Sequence, residues 1–443
     1  MEIHIGLDDL DSPLGQCTTF VAFLISKEIL EKGLGGFLDY PYLVRLDPNV
    51  PFKTRGNGSV SIHLKASPKT VGEILETARR IVDENYERHG KTSPTLVVLE
   101  GRIPQQLSQI YERALREFIP RKYVKELVTD LSDKLNLEIY PSTENRGLVG
   151  ALAAIGAYPL RNFTYELLAY RDPYSKVPER TVPWSFFVEV DRAYRPTVFA
   201  TYDYIERRPL AVPHGPDPVV FGLRSFDPRI LENILKEASR RFPYSYMIFK
   251  TNQATNAHLA RHKKISKLRP YDSALIEGSV AEQPRIMPGG HAKLVVADDT
   301  GEVQVMVYRE TGRLNRLARL LRPGDTVEVG GGVVPRKGLT LNAEQIRLKQ
   351  VSPKIVARNP KCPRCGATMK SAGRGKGFKC PKCGYRDRNA RKIMVKLPRI
   401  VAPGLYVASP RAYRHLTRPP ETFGLEGVDV FVEKWIFWRH VNL

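Results

Sequence analysis

Apolar and polar positions change period several times along this chain, and each change predicts an element. Residues 2–7 (EIHIGL) alternate as a short strand does and run into an acidic turn, DDLDSPLGQCTT. From Phe20 to Lys32 the apolar positions Phe20, Val21, Phe23, Leu24, Ile29 and Leu30 recur at helical spacing, and Gly33 ends the pattern. LVRL and SVSIHL then read as two strands flanking a polar, glycine-rich loop at 47–58, and 68–139 reads as mostly helical with a strand at TLVVLE. The Gly/Ala segment 146–157 suits a tightly packed loop and helix, with core packing at a close backbone approach as its main use. Alternating strands and helices predict α/β or α+β structure up to about residue 190.

The texture changes near Tyr194–Pro196. Residues 196–265 hold short strands, proline-rich loops and a helix near 228–241, the pattern of a small α+β domain. Between 273 and 350, five short strands separated by Gly/Asp turns, with a helix at 313–321 between the third and fourth, predict an OB-fold barrel. A cysteine cluster at 354–397 and an aromatic, basic tail at 398–443 complete the chain. The fold class expected is therefore multidomain α+β, ending in an OB-fold and a zinc ribbon.

Length and charge sharpen this picture. A chain of 443 residues is too long for one core, and 42% hydrophobic residues is a globular composition. A net charge of +22 repels itself unless a polyanion neutralises it, so nucleic acid is the leading partner. The acidic, strand-like N-terminus lacks the regions of a signal peptide, and no run approaches the roughly 18 apolar residues of a membrane helix. With cysteines arranged as a metal cluster and not as a disulfide framework, a cytoplasmic location is expected.

CPRC at 362–365 and CPKC at 380–383 give four thiolates, Cys362, Cys365, Cys380 and Cys383, for a closed tetrahedral Zn2+ site with a structural role. Residues 354–397 carry fourteen Lys or Arg against the single acid Asp387, a bias that favours phosphate binding over an ordinary mixed surface. Arg374, Lys376, Lys379 and Arg386 are the candidate RNA contacts, with Gly373, Gly375 and Gly377 making a flexible basic finger. On the OB segment, Tyr308, Arg309, Arg313, Arg316, Arg336 and Lys337 are candidates for base or phosphate contact. These two modules alone fit a single-stranded nucleic-acid-binding protein of the replication-protein-A type equally well.

The N-terminus separates the two readings. Asp8, Asp9 and Asp11 repel one another unless a cation compensates, and hard oxygen ligands at a strand end suit Mg2+ carrying nucleotide phosphates. Thr18 and Thr19 open the next helix, where a hydroxyl serves either as a cap or beside a bound phosphate. Lys53 and Arg55, flanking Thr54 in a loop with Gly56, Asn57 and Gly58, form a candidate clamp on phosphates, although the chain has no Walker A motif. His214 and His258 lack ligand spacing. Asn252, Gln253 and Asn256 suit RNA contact or backbone satisfaction alike.

The segments IGLDDLDSPLGQCTT, RLDPNVPFKTRGNG, ENRGLVGALAAIGA, FTYELLAYR, PHGPDPVVFGLR and FKTNQATNAHL closely resemble, in the same order, those of the archaeal synthetases that form 2-agmatinylcytidine in isoleucine tRNA. The resemblance implies a kinase-like catalytic region at 1–195, a ferredoxin-like domain at 196–268, an OB-fold at 269–352, and a zinc ribbon with its tail at 353–443. It also implies that ATP activates the 2-oxo group of the wobble cytidine of a CAU anticodon and that the amine of agmatine displaces it. By the same resemblance ATP is cleaved to AMP and pyrophosphate in the course of this reaction, with Thr18 phosphorylated on the way. Asp8, Asp9 and Asp11 would hold Mg2+, and Thr19, Lys53, Arg55, Gly56 and Asn57 would bind ATP or the target base, which must leave the anticodon stack. Glu144, Glu166 and Asp172 are the carboxylates considered for the agmatine guanidinium.

Overall fold

Strand β1 (Glu2–Asp8) forms where EIHIGL predicts it, yet every residue from Ile3 to Leu7 is buried, so this is an interior strand covered on both faces. In this computed structural model, which describes residues 1–12, 15–53, 56–85, 92–171, 182–213, 215, 217–336, 338–433 and 437–438, β1 lies in an eleven-stranded sheet. Its first half comprises β1, β2 (Gly35–Phe37), β3 (Tyr42–Arg45), β4 (Gly58–Ala66), β5 (Thr95–Glu100) and β6 (Leu137–Tyr140), in the order β6-β5-β1-β4-β3 with β2 beside β4. Helices α1 (Thr18–Glu31), α2 (Val71–Glu84), α3 (Gln105–Ala114), α4 (Arg121–Ser132) and α5 (Leu148–Gly156) cover it. In α2 the buried positions Val71, Ile74, Ala78, Ile81 and Val82 trace the stripe that helical periodicity requires. Helix α5 is different: it is apolar all round, and Gly6 on β1 leaves room for its backbone, since a Cβ there would lie 2.4 Å from the carbonyl oxygen of Ala151.

The second half of the sheet contains β7 (Thr164–Tyr170), α6 (Trp184–Tyr194), β8 (Val198–Phe199), a separate hairpin of β9 (Tyr202–Asp203) and β10 (Arg208–Pro209), β11 (Val219–Ser225), α7 (Pro228–Arg241) and β12 (Ser245–Thr251). The order β12-β7-β11-β8, antiparallel throughout, is the 4-1-3-2 arrangement of a βαββαβ ferredoxin-like unit. Its first strand and helix precede residue 195, so the border expected at 195/196 falls inside the unit, not between two domains. A parallel pairing of β3 with β12 welds the halves into one sheet over one core. Functional groups from both halves therefore meet along a single sheet.

The barrel follows with β13 (Ser273–Val280), β14 (Arg285–Ile286), β15 (Ala292–Asp298), β16 (Gly301–Val307), α8 (Arg313–Leu320), β17 (Thr326–Pro335) and β18 (Leu339–Gln350), around a core of its own. The helix sits between the third and fourth long strands, as the sequence predicts. A two-stranded stalk, β19 (Lys354–Arg358) with β23 (Ile393–Leu397), carries the ribbon strands β20 (Lys370–Ser371), β21 (Phe378–Lys379) and β22 (Arg386–Asp387). The tail beyond is not an appendage. Strand β24 (Gly404–Val407) adds to β18 of the barrel, and β25 (Phe437–Trp438) adds to β12 of the large sheet. Among the described residues no helix is long and apolar enough to cross a membrane.

Candidate active site and RNA-binding modules

The acidic turn leaves β1 between two cavities. Asp8 and Asp9 line one of about 470 Å³, together with Lys53, Asn57, Phe52, Phe118, Arg121 and Arg146. Asp11, Thr18 and Thr19 line another of about 280 Å³, with Arg45, Glu166, Asp217, Arg224 and His415. The three aspartates are thus divided between the two cavities, and they do not bring three carboxylate oxygens within 4.8 Å of one another.

Asp9 has φ +58°, a left-handed conformation that aims its side chain at Arg146. Its Oδ2 accepts from Nε at 2.9 Å and from Nη2 at 2.6 Å, while its Oδ1 is buried without a partner. Burial pushes the Asp9 carboxyl above the ordinary range despite Arg146. Asp8 is pushed up further, first by burial and then by the charge of Asp9. Its carboxylate lies under α5, and a Cβ at Gly150 would meet Asp8 Oδ2 at 2.0 Å. Two carboxylates held at such cost, one with an orphaned oxygen, fit a divalent cation, whose charge would reverse the shift. That is the fit of these residues to Mg2+.

Across the turn, Thr18 is the first residue of α1. Neither threonine caps the helix: the N-cap position is Cys17, without a side-chain cap bond. Instead Asp11 Oδ1 accepts from the Thr18 backbone N–H at 3.0 Å and from its hydroxyl at 3.4 Å. The Thr19 hydroxyl is turned to Cys17 Sγ at 3.0 Å. Thr18 Oγ1 accepts from the Leu10 N–H at 3.3 Å, so its hydroxyl is held against the acidic turn at a helix N-terminus.

The loop at 47–57 is closed on itself by Asn57, whose φ is +49° and whose Nδ2 donates to the Asp47 carbonyl at 2.8 Å. Lys53 is half-buried, and burial and nearby Arg414 lower its pKa. Arg55 and Thr54 lie outside the described residues, as do Pro13, Asp172, His214 and Lys337. Gly56 and Gly58 are needed by neighbouring side chains: a Cβ at Gly56 would lie 2.5 Å from His415 Nε2, and one at Gly58 would lie 2.6 Å from Arg45 Nη1. Arg45 and His415 use the room left by these glycines, and both glycines also line the smaller cavity.

Of the other carboxylates considered, Glu144 is exposed and paired with Lys125 and Arg121. Glu166 is buried between Arg224 Nε at 3.0 Å and the amide of Gln253. Asn252 and Asn256 serve structure, Asn252 bonding both the N–H and the carbonyl of Arg45, Asn256 accepting from the N–H of Arg418. His258 is buried against Glu344 at 3.0 Å. Sequence reading misses Arg45, Arg121, Arg146, Asp217, Arg224 and His415. Arg146 stands in a quoted motif, whereas a histidine in a tail without a motif gives no signal.

In the ribbon the four sulfurs converge within 4.8 Å, with Cys362–Cys383 at 3.5 Å and Cys365–Cys380 at 3.4 Å. They form a closed four-cysteine site for structural zinc. Arg374, Lys376, Lys379 and Arg386 are all exposed around it. The finger is a hydrogen-bonded turn: Gly373, Gly375 and Gly377 have φ of +110°, +73° and +66°, and the Ala372 N–H donates to the Gly377 carbonyl at 2.9 Å. On the barrel, Tyr308 accepts from Arg336 at 3.0 Å, and Arg309, Arg313 and Arg316 are exposed.

Fold and site together define an RNA-handling enzyme: a catalytic sheet with charged cavities, attached to an OB barrel and a basic zinc ribbon. Residues 4–138 match the model of the TiaS TCKD domain, 145–258 that of the TiaS FLD domain, 267–348 that of the OB-fold nucleic acid binding domain, and 359–401 that of the TiaS C-terminal zinc ribbon domain. The chain is 52% identical to the isoleucine-tRNA 2-agmatinylcytidine synthetase TiaS of Thermofilum pendens over 429 residues, covering 96% of each. It is 38% identical to that of Pyrococcus horikoshii, covering 95% of this chain and 97% of the relative. A crystal structure of TiaS in complex with its isoleucine tRNA and ATP superposes with a TM-score of 0.83 at 31% identity, over 98% of this chain and 100% of that one. One of TiaS with the same tRNA, AMPCPP and agmatine superposes with 0.80 at 29% identity and the same coverage. This chain belongs to the TiaS family, the isoleucine-tRNA 2-agmatinylcytidine synthetases. A single-strand-binding reading accounts only for the barrel and ribbon and leaves the catalytic sheet unexplained.

Proposed function

We infer that this protein uses ATP to ligate agmatine to the 2-position of the wobble cytidine in the CAU-anticodon isoleucine tRNA, so that the anticodon reads AUA. The observation that carries this reading is the division of the acidic turn between two cavities, Asp8 and Asp9 on the larger and Asp11 with Thr18 on the smaller. The larger cavity offers cations for phosphates (Lys53, Arg121, Arg146) and carboxylates for a cation (Asp8, Asp9). Mg2+ bound there would neutralise phosphate charge. The smaller cavity, lined by Asp11, Glu166 and Asp217, suits the dication agmatine. Thr18, held by Asp11 at the N-terminus of α1, would take a phosphoryl group. Lys53 and Asn57 line the larger cavity beside the phosphates, and Gly56 lines the smaller one. Arg374, Lys376, Lys379 and Arg386 hold tRNA phosphates, and the work is done in the cytoplasm.

The test is incubation of the protein with ATP, Mg2+, labelled agmatine and a transcript of this tRNA. Label entering the wobble nucleotide supports the reading. ATP-independent binding without product, with every tRNA tried, would sink it.

A further inference from the structure

The tail that threads back over the catalytic sheet delivers one basic nitrogen into the smaller cavity. The Ala254 N–H donates to the His415 carbonyl at 2.9 Å and the Asn256 N–H to the Leu416 carbonyl at 2.9 Å, so the segment is pinned beside β12. His415 is half-buried, its ring against Gly56 and on the wall that Thr18 and Asp11 share.

The tautomer of His415 follows from its partners. Gln253 donates its amide Nε2 to Glu166 Oε2, which is itself held by Arg224. A carboxylate only accepts here, so the Gln253 amide is oriented and its Oε1 faces His415 Nδ1 at 3.1 Å. Nδ1 therefore carries the hydrogen, and the lone pair is on Nε2, which has no partner among the described residues. Of the other cavity bases, Glu166 is held at both oxygens by Arg224 and Gln253, Asp217 is partnered, and Asp11 commits Oδ1 to Thr18. The Cys17 thiol is held protonated, pushed up to about 12 by burial.

We propose that His415 Nε2 is the proton acceptor for the attacking amine, a catalytic residue contributed by the C-terminal tail. The proposal rests on the ligase reading above. In the step, the agmatine nitrogen forms a bond to C2 of the cytosine, the bond from C2 to the phosphorylated oxygen breaks, and the leaving group departs with that electron pair. The proton lost from nitrogen goes to Nε2 and from there to water. The charged groups around the ring come from every packed element: Arg45 on β3, Glu166 on β7, Arg224 on β11 and Lys53 in the loop. Arg45 first, then burial, Arg224 and Lys53 hold the imidazole neutral, well below its ordinary value, so its lone pair is available before substrate arrives. A phosphoryl group on the activated base would offset those cations and raise the ring's proton affinity at the moment of attack.

The test compares His415→Ala and His415→Gln with wild type in full-length protein. The expected result is a fall in kcat for agmatine incorporation on the order of 10²-fold or more. KM for agmatine, tRNA affinity, the thermal midpoint and ATP-dependent phosphate on Thr18 stay near wild type, and added imidazole restores turnover in His415→Ala. The glutamine variant, polar and close in volume, guards against collapse of the tail. Wild-type incorporation in the same assay secures the ligase reading independently. Variants that keep turnover within a few-fold would overturn the proposal. So would a loss that imidazole leaves unchanged and that Thr18 phosphorylation shares, which would make the ring a structural contact.

Discussion

Asp11 Oδ1 accepts from the backbone N–H of Thr18 at 3.0 Å, seven residues along the chain, and thereby supplies the side-chain cap that Cys17 does not provide for α1. The same oxygen lies 3.4 Å from the Thr18 hydroxyl. One carboxylate thus orders the helix start and orients the proposed phosphoryl acceptor. The two roles are carried by different atoms of Thr18, so substitutions separate them.

Thr18→Ala keeps the N–H that Asp11 caps. It leaves the buried Leu10 N–H without its acceptor, so it should cost about 1–3 kcal/mol, yet still fold, bind tRNA, and form little agmatinylated product. Asp11→Ala should cost about 1 kcal/mol, the ordinary value of a lost cap, and should also suppress phosphate on Thr18. Denaturant unfolding and mass spectrometry of the 12–27 peptide read both outcomes. An active Thr18→Ala enzyme would reduce Thr18 to a helix start.

Gly150→Ala places a methyl 2.0 Å from Asp8 Oδ2 and 2.4 Å from Ser59 Oγ. Helix α5 or Asp8 must move, at a cost typical of overpacking, about 1–3 kcal/mol. Because Asp8 lines the larger cavity, turnover should fall at least tenfold while zinc content and salt-dependent tRNA binding persist. An Ala variant of full activity would show that Asp8 can shift without consequence.

The barrel, the zinc ribbon and the helices α1, α2 and α7 are legible in the sequence because each carries a local signal: CxxC pairs, Gly/Asp turns, or a periodic apolar stripe. The border of the ferredoxin-like unit is not, because its first strand, Thr164–Tyr170, is buried at every position and so has no alternation to mark it. Asp8, Asp9, Asp11 and Thr18 stand out as a cluster, but their separation into two cavities depends on the φ of +58° at Asp9, which composition does not reveal. Arg146, 137 residues from Asp9, and His415, 162 residues from Gln253, meet their partners only through tertiary packing.

One zinc per chain is expected by elemental analysis, and Cys380→Ser, at a fully buried ligand, should lose it. The ribbon stands on its own stalk with its own small core. Loss of metal should therefore weaken tRNA binding while leaving ATP-dependent phosphate on Thr18 intact. Metal-free wild type with unchanged tRNA affinity would contradict this.

Arg374, Lys376 and Lys379 are exposed on and beside a hydrogen-bonded turn. Each phosphate contact removed should lower the slope of log K against log salt by about 0.7–0.9, so the triple alanine variant should flatten it by up to about 3. Filter binding between low and moderate salt measures this. An unaltered slope would place the tRNA backbone on other parts of the surface.

His4 and His63, both fully buried, face each other Nδ1 to Nδ1 at 2.9 Å across β1 and β4. The carbonyl of Gly101 takes the hydrogen of His4 Nε2 at 2.9 Å, so the neutral His4 presents its Nδ1 lone pair to His63. Burial lowers both pKa values, and for His63 the proximity of His4 lowers it further. Unfolded histidine takes up a proton near pH 6.5. As pH falls through that value, the unfolded chain binds protons that the folded pair refuses, so stability falls on acidification and is retained above it. The loss stops growing once the pH is below the folded values. Buried carboxyls such as Asp8 titrate in the opposite sense, so the measurement is a difference: urea midpoints of wild type and of His4→Gln/His63→Gln, each at about pH 7.5 and about pH 5.5. Wild type should lose more over that interval than the double variant. Equal losses would mean that the pair titrates in the folded protein as it does in the unfolded chain.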